Sequence, residues 1–153
     1  MHMERTVKIL MGLIAGVLMI FATSSCSKDE MNEKNIEGKW QSTNENYKRY
    51  EDGKLEYEDS RTCIEWYIGL NFKSDGTGQL IRYSERESET IQITWVIKGE
   101  KLMLTQYKEG EPNTVTFDII QIKSSSMTLS IIEEYTSDGV QYKEIITYNF
   151  KKI

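Results

Sequence analysis

Apolar and polar residues alternate with a period of two from residue 36 to the C-terminus, and turn-forming residues interrupt the alternation at short intervals. The strand-favouring residues Tyr, Thr, Ile and Val are frequent, and no long segment repeats with the 3.6-residue period of a helix. The pattern predicts an all-β domain of eight strands with short connections. The predicted strands span residues 38–51, 54–73, 77–85, 89–98, 101–108, 113–123, 126–136 and 140–151.

The dipeptide Asp138-Gly139 predicts the register of the last hairpin, because a two-residue turn fixes which residues face each other. A turn centred there places Ile131 opposite Ile146. The other apolar pairs on that face are Leu129–Tyr148 and Met127–Phe150, and the polar pairs on the opposite face are Glu134–Lys143 and Ser130–Thr147. The match in character across the hairpin favours this register.

Three further dipeptides predict turns in the same way: Asp52-Gly53, Asp75-Gly76 and Gly99-Glu100. The predicted pairs are Tyr50–Leu55 and Arg49–Glu56 around the first turn, and Ile97–Leu102 and Trp95–Leu104 around the third. The turn at Asp75-Gly76 is compatible with a two-residue or a three-residue connection.

Apolar positions change parity in the second and the sixth predicted strands, which predicts a bulge in each. The inward positions of the second strand are odd at Leu55 and Tyr57 and even at Ile64, Trp66, Ile68 and Leu70, and the sixth strand shifts between Phe117 and Ile120. Eight antiparallel strands with short successive connections can close into an up-and-down barrel, which leaves no exposed sheet edge. A sandwich of seven to nine strands is the alternative, but sandwiches usually need long crossovers, which this pattern does not show.

The N-terminal segment has the three parts of a secretory signal. Arg5 and Lys8 make its start basic, residues 9–21 are an unbroken run of apolar residues and glycine, and residues 22–25 are small. The apolar run is shorter than the roughly 20 residues that a membrane-spanning helix needs. Residues 1–25 are therefore predicted to be a removable signal peptide.

Cys26 directly follows the small residues, and Thr23-Ser24-Ser25-Cys26 resembles the lipobox of bacterial lipoproteins. The resemblance implies that Cys26 carries fatty acyl chains such as palmitate, which anchor the protein to the outer membrane of the cell envelope. A disulfide between Cys26 and Cys63 is the alternative. We favour the lipid anchor, because Cys63 lies in a strand-like segment where a small thiol is typically buried.

The segment after the lipidated cysteine, within residues 26–35, is polar and charged, which predicts a flexible tether. Its first part, Ser27-Lys28-Asp29-Glu30, resembles the acidic tag that displays some lipoproteins on the outer cell surface. A solvated linker without an address has equal weight on composition.

Charge and composition argue against nucleic-acid binding and against the common catalytic and zinc sites. Removing Arg5, Lys8 and Glu4 with the signal leaves 17 basic and 23 acidic residues, a net charge of −6, with no basic stripe to bind nucleic acid. The single histidine, His2, also leaves with the signal. A mature domain without histidine and with one further cysteine lacks the usual parts of a Ser–His triad, a Cys–His pair or a zinc site. We therefore predict no enzyme activity, no cofactor and no metal.

The motif Gly38-Lys39-Trp40 resembles the Gly-x-Trp signature of lipocalins. The segment Phe72-Lys73-Ser74-Asp75-Gly76-Thr77-Gly78 and the later Trp95, Lys98, Gly99, Leu102 and Leu104 are similar to the lipocalin-like domains of bacterial lipoproteins. The resemblance covers residues 36–153 and implies a lipocalin-like barrel. In such a barrel the first and last strands are neighbours, which places Trp40 near Lys151 and Lys152.

One end of the predicted barrel, with the connections at 52–53, 85–88, 109–112 and 138–139, is the expected mouth. Tyr57, Tyr83, Tyr135 and Tyr142 are expected there. Glu133 would face Glu144, and like charges across a ladder require solvent, a cation or amine, or a bound proton between them. The candidate ligand-binding residues are Tyr57, Trp66, Tyr83, Trp95, Glu133 and Glu144.

These features predict a cell-envelope lipoprotein whose barrel binds a small, partly apolar or amine-bearing ligand. The alternative is a ligand-free module for protein interaction on the envelope, whose partner the sequence does not name. A cavity lined by Trp66, Trp95 and tyrosines would favour the first reading, and a solidly packed lumen with an outer apolar patch would favour the second.

Overall fold

The computed structural model describes residues 32–153, so the predicted signal peptide and Cys26 lie outside the described residues. Within that range no helix is long and apolar enough to cross a membrane. The described residues form nine strands: β1 (Gly38–Glu51), β2 (Lys54–Thr62), β3 (Trp66–Phe72), β4 (Thr77–Ser84), β5 (Glu87–Lys98), β6 (Lys101–Lys108), β7 (Glu111–Ile122), β8 (Ser126–Ser137) and β9 (Val140–Lys152).

The strands close into a ring. Every ladder is antiparallel, β3 to β9 pair in sequence order, and β1 pairs with both β3 and β9. β2 continues the line of β3 along β1, with an interruption at residues 63–65. The predicted eight-stranded up-and-down barrel is therefore confirmed, with the predicted strand 54–73 divided into β2 and β3.

The predicted hairpin registers are confirmed in the last hairpin and between β5 and β6. The prediction for the first hairpin was wrong in one pair: Arg49 faces Tyr57 and not Glu56, because the register shifts between Arg49 and Tyr50. The shift packs Tyr57 against Tyr47, with ring centroids 5.9 Å apart. The turn around Gly76 has three residues, since Lys73 and Thr77 are joined by a backbone hydrogen bond.

Both predicted changes of parity occur. The register of β7 against β8 skips Ile120, as expected from the shift after Phe117. In the second predicted strand, however, Leu55 lies opposite Tyr50 on the outer face and is 43% exposed, and Ile64 in the interruption is 78% exposed. The expectation that these two side chains face inward was wrong, because one bulge lies before Tyr57 and the strand then breaks at residues 63–65.

Trp40 closes the end of the barrel where β1 begins. Its indole Nε1 donates to the carbonyl oxygen of Ile36 at 2.6 Å, and Nζ of Lys152 lies 5.0 Å from its ring centroid, as predicted for a C-terminal lysine. The buried core at this end comprises Ile36, Trp40, Leu70, Phe72, Leu102, Met127, Leu129 and Phe150. Trp40 therefore fills this end as part of the core.

Residues 32–36 form a short helical turn, so the prediction of a tether without structure was wrong for residues 32–35. Ile36 is fully buried, and the carbonyl oxygen of Asn35 accepts a hydrogen bond from Nζ of Lys152 at 3.2 Å. The buried side chain of Ile36, the hydrogen bond from Trp40 to the Ile36 carbonyl and the hydrogen bond from Lys152 to the Asn35 carbonyl hold the turn against the closed end.

Candidate functional site

The wall of the barrel opens between β7 and β8 at the end away from Trp40. These strands pair only from Asp118 opposite Ser130 to Ile122 opposite Met127. Beyond that point, within the described chain, residues 111–117 of β7 pair with β6 alone and residues 131–137 of β8 pair with β9 alone. The predicted mouth therefore continues into a slot in the side of the barrel.

On one side of the mouth, strands β2, β1, β9 and β8 extend further from the closed end than β3 and β4 do. β4 ends at the turn 85–86, where Ser84 faces Trp66, whereas β2 continues along β1 to the turn 52–53. The nine residues of β2 span roughly 30 Å at about 3.3 Å per residue. We call the four-stranded sheet β2-β1-β9-β8 on this side the extended sheet; its inner face continues the lining of the lumen.

An apolar cavity of about 260 Å³ lies in the lumen below this opening. Its wall is mainly aliphatic and aromatic and includes Leu70, Leu80, Ile93, Leu104, Phe117 and Phe150. Three polar side chains also line it: Arg82 from β4, Gln106 from β6 and Asn113 from β7. Each of the three lies within a few residues of a mouth turn, so the cavity is apolar in depth and polar towards its entrance.

Tyr148 forms part of the cavity wall on β9. Burial, together with the adjacent carboxylate of Glu45 to which its hydroxyl is hydrogen-bonded, raises the pKa of Tyr148 far above its ordinary value. Cys63 lies nearby as a free, buried thiol whose pKa is also raised by burial. Tyr148 therefore stays a neutral hydrogen-bond donor next to the cavity across the physiological pH range.

The inner face of the extended sheet carries four tyrosines, Tyr47, Tyr57, Tyr135 and Tyr142. They surround Arg49 and Glu144, which are directly opposite each other in the ladder between β1 and β9. Tyr135 and Tyr142 stack with centroids 5.1 Å apart and planes inclined by 21°. We call these six residues the tyrosine face.

Glu144 is the hydrogen-bond acceptor of this face. The hydroxyl of Tyr135 donates to Oε1 of Glu144 at 2.9 Å, and the hydroxyl of Tyr47 is also hydrogen-bonded to this carboxylate. The hydrogen bond to Glu144 raises the pKa of Tyr135, while desolvation and then the same carboxylate raise the pKa of Tyr47. Both tyrosines are held as neutral donors.

Arg49 is the cation of this face. Its Nη2 donates to Oε1 of Glu51 at 2.9 Å, and its guanidinium carbon lies 4.7 Å from the ring centroid of Tyr142. Nε of Arg49 is buried and has no hydrogen-bond partner among the described residues. Arg49 is thus positioned by one ion pair and one cation–π contact.

The structure brings four of the six predicted site residues to the lumen side of the mouth: Tyr57, Trp66, Glu133 and Glu144. Glu133 lies opposite Glu144, as predicted, and Tyr57 lies opposite Arg49. Because the ladders between β1 and β9 and between β8 and β9 continue into the cavity wall, these side chains lie on the lumen side of the sheet. Glu144 is half-buried and Glu133 is exposed.

The two tryptophans lie at opposite ends of the barrel. Trp95 is near the closed end, where its Nε1 donates to the carbonyl oxygens of Lys73 and Thr77 at 3.1 Å each and its ring meets Phe72 edge-on. Trp66 is half-buried at the start of β3, opposite Ser84 and beside the mouth turn 85–86, on the lumen-facing side that Ile68 and Leu70 share. Neither residue is part of the cavity wall, so the cavity does not support the two tryptophans as ligand-binding residues.

Tyr83 was also misplaced by the sequence prediction. It stacks on Tyr67 with centroids 4.9 Å apart, on the outer face of β3 and β4, because its neighbour Arg82 faces the lumen. The sequence prediction in turn missed the polar lining of the cavity and the two residues Tyr47 and Arg49. Alternation from the inward-facing Trp40 would have placed Tyr47 and Arg49 on the outer face, because the register of β1 shifts between Ser42 and Asn44.

The sequence model of a lipocalin-like family matches residues 59–149. The chain belongs to the lipocalin-like family. Among curated proteins, no sequence matches this lipocalin-like protein.

One solved structure supports this fold. Insecticyanin from the tobacco hornworm Manduca sexta superposes with a TM-score of 0.56 at 7% identity, over 78% of this chain and 62% of insecticyanin. The lipocalin-like chain thus spans less than two thirds of that protein. Bovine odorant binding protein, solved in complex with a selenium-containing odorant, aligns with a TM-score of 0.41 at 15% identity, over 80% of this chain and 73% of that one.

Proposed function

We propose that this lipocalin-like protein is a cell-envelope lipoprotein that binds a small, partly apolar ligand in the barrel lumen. The apolar cavity with a polar entrance carries the proposal. Ligand sites are typically concave and mostly apolar, with a few polar groups that orient the ligand. Binding without chemistry is the role that this lining supports.

The cavity indicates how the ligand is arranged. Its volume of about 260 Å³ is slightly below the roughly 300–1,000 Å³ of common small-molecule sites. The apolar part of the ligand fills the depth against Leu80 and Leu104, and its polar end meets Arg82, Gln106 and Asn113. Arg82 is paired with Glu89 at 3.6 Å, so its charge is partly balanced before any ligand binds.

The predicted amine-bearing ligand is not retained in the proposal. It depended on an uncompensated pair of carboxylates at Glu133 and Glu144. Glu144 instead accepts hydrogen bonds from Tyr47 and Tyr135 and lies opposite Arg49. The protein supplies the compensating groups itself, and a ligand cation is not needed to explain the pair.

The lipid anchor at Cys26 is supported by the signal-like residues before it and the polar segment after it. The helical turn at residues 32–36 packs at the closed end of the barrel. The few residues between Cys26 and this turn would reach only about 20 Å when extended. An anchored barrel would therefore stand with its closed end towards the membrane and its mouth away from it.

A fluorescence titration tests the lumen as the binding site. The apolar probe N-phenyl-1-naphthylamine should bind the natural protein and lose binding in Leu104→Trp and in Leu80→Phe, because both substitutions fill the cavity. Val96→Trp, on the outer face of the neighbouring strand, is the matched control and should leave probe binding unchanged. Unchanged binding in both filled variants, with circular dichroism showing an intact fold, would contradict the proposal.

A further inference from the structure

The tyrosine face lies outside the cavity, and none of its six residues lines the lumen site. It occupies the inner face of the extended sheet at the end farthest from Trp40, near the turns 52–53 and 138–139. Tyr57 is 51% exposed and Tyr135 is 45% exposed, so aromatic surface is open to solvent on both sides of Arg49 and Glu144. We propose that the tyrosine face is a second binding site, which takes a neutral sugar ring.

The shape of the face suits a ring-sized group. An open depression of about 430 Å³ is bounded by Tyr47, Arg49, Glu51, Glu56 and Tyr57. The rings of Tyr47 and Tyr57 are inclined by 56° and form two walls of this depression. A flat group can therefore lie against one ring while its edge reaches the charged side chains.

The chemistry of the face matches a sugar. A sugar ring has apolar C–H surfaces and an edge of hydroxyl groups, each of which both donates and accepts hydrogen bonds. The tyrosine rings supply the apolar surface, Arg49 supplies N–H donors, and Glu51 and Glu144 supply acceptors. Hydrogen bonds from a neutral hydroxyl to charged groups are stronger than those between neutral groups.

The polar groups are already ordered, which lowers the entropic cost of binding. Arg49 is held by Glu51 and by the ring of Tyr142. Glu144 is held by the hydroxyls of Tyr47 and Tyr135. A bound hydroxyl therefore meets donors and acceptors whose positions the protein has fixed.

The charges on the face argue against an ionic ligand. A cation would compete with Arg49, which already lies over Tyr142 and pairs with Glu51. An anion would meet the carboxylates of Glu51, Glu133 and Glu144 on the same surface. A neutral ligand with many hydroxyl groups avoids both conflicts.

Saturation-transfer NMR with the methyl β-glycosides of glucose, galactose, mannose and N-acetylglucosamine tests the proposal. The protein is the full expressed chain as purified, kept free of glycoside detergents. At least one glycoside should bind, with the strongest transfer to the ring C–H protons that lie against tyrosine. Tyr57→Leu or Tyr135→Leu should weaken that binding roughly threefold to tenfold, whereas Tyr107→Leu, an exposed tyrosine on the outer face, should not.

The outcomes separate this site from the lumen. Sugar binding that persists in Leu104→Trp supports a second site whether or not the lumen binds its own ligand. No transfer to any of the four glycosides up to their solubility would overturn the proposal. So would binding of choline or acetate to the tyrosine face in the absence of glycoside binding, or equal loss of sugar binding in Tyr107→Leu.

Discussion

At the scale of single residues, the pair Glu133 and Glu144 shows what the register decides and what it leaves open. The sequence placed the two carboxylates opposite each other, and the structure confirms that pairing. The hydrogen bonds from Tyr47 and Tyr135 and the position of Arg49 could not be predicted from the hairpin alone. They depend on the neighbouring strand β1, whose register contains two shifts.

The two glutamates should respond differently to neutralisation. Glu144→Gln weakens two tyrosine hydrogen bonds, so we expect it to lower the free energy of unfolding by up to about 1 kcal/mol, the scale of a cross-strand pair. Glu133→Gln removes only an exposed like charge and should leave stability unchanged or slightly raised. Chemical denaturation of both variants at neutral pH measures the difference, and a stabilised Glu144→Gln would show that repulsion dominates.

Tyr148 gives the barrel a dependence on alkaline pH. Its pKa is raised in the folded state, so folding favours its neutral form. The contribution is complete below the unfolded-state pKa of about 10 and is lost as the pH rises above that value. We expect stability to fall above about pH 10, with a smaller fall in Tyr148→Phe, measured by thermal melts across this range; an equal fall in both proteins would contradict the assignment.

At the scale of elements, the turns and most registers were predictable because two signals agree in a hairpin. The turn dipeptide sets which residues are opposite each other, and period-two alternation shows whether those pairs match in character. The interruption at residues 63–65 was not predictable, because residues 58–62 directly before it carry no apolar side chain to show the parity of the strand. In β4, Leu80 and Ile81 are adjacent and both apolar, so alternation alone did not decide that Tyr83 faces outward. The slot between β7 and β8 follows from missing pairs, which no residue pattern marks.

Gly139 tests the turn of the last hairpin. Asp138 and Gly139 have φ angles of 52° and 82°, as a type I′ turn requires. A side chain in this region costs about 1–2 kcal/mol, so Gly139→Val should lower the free energy of unfolding by that amount. Asp138→Asn should be tolerated, because Asn also adopts positive φ. Denaturant titration of both variants measures this, and an unaffected Gly139→Val would argue against the turn.

At the scale of the whole molecule, a barrel closed by Trp40 and open at the other end would keep the proposed lipid anchor apart from the proposed ligand site. The short turn at residues 32–36 joins the closed end, so an anchor at Cys26 would leave the mouth accessible. This arrangement suits a protein that takes its ligand from the space beyond the membrane surface.

The anchor can be tested by fractionation. Cys26→Ala should release a soluble protein or leave an uncleaved precursor, because no acyl chain can then be attached. The natural protein should remain with the membrane fraction and Cys63→Ala should behave in the same way. A processed Cys26→Ala protein that still fractionates with membranes would rule out the lipid anchor.

Native mass spectrometry of the protein purified from its own cells tests the central claim, the ligand in the lumen, most directly. The account predicts a co-purified, partly apolar small molecule bound in a one-to-one complex. The complex should be absent from folded Leu104→Trp and present in Val96→Trp. A natural protein free of any bound molecule, which also fails to bind the apolar probe, would contradict the account and favour a ligand-free interaction module.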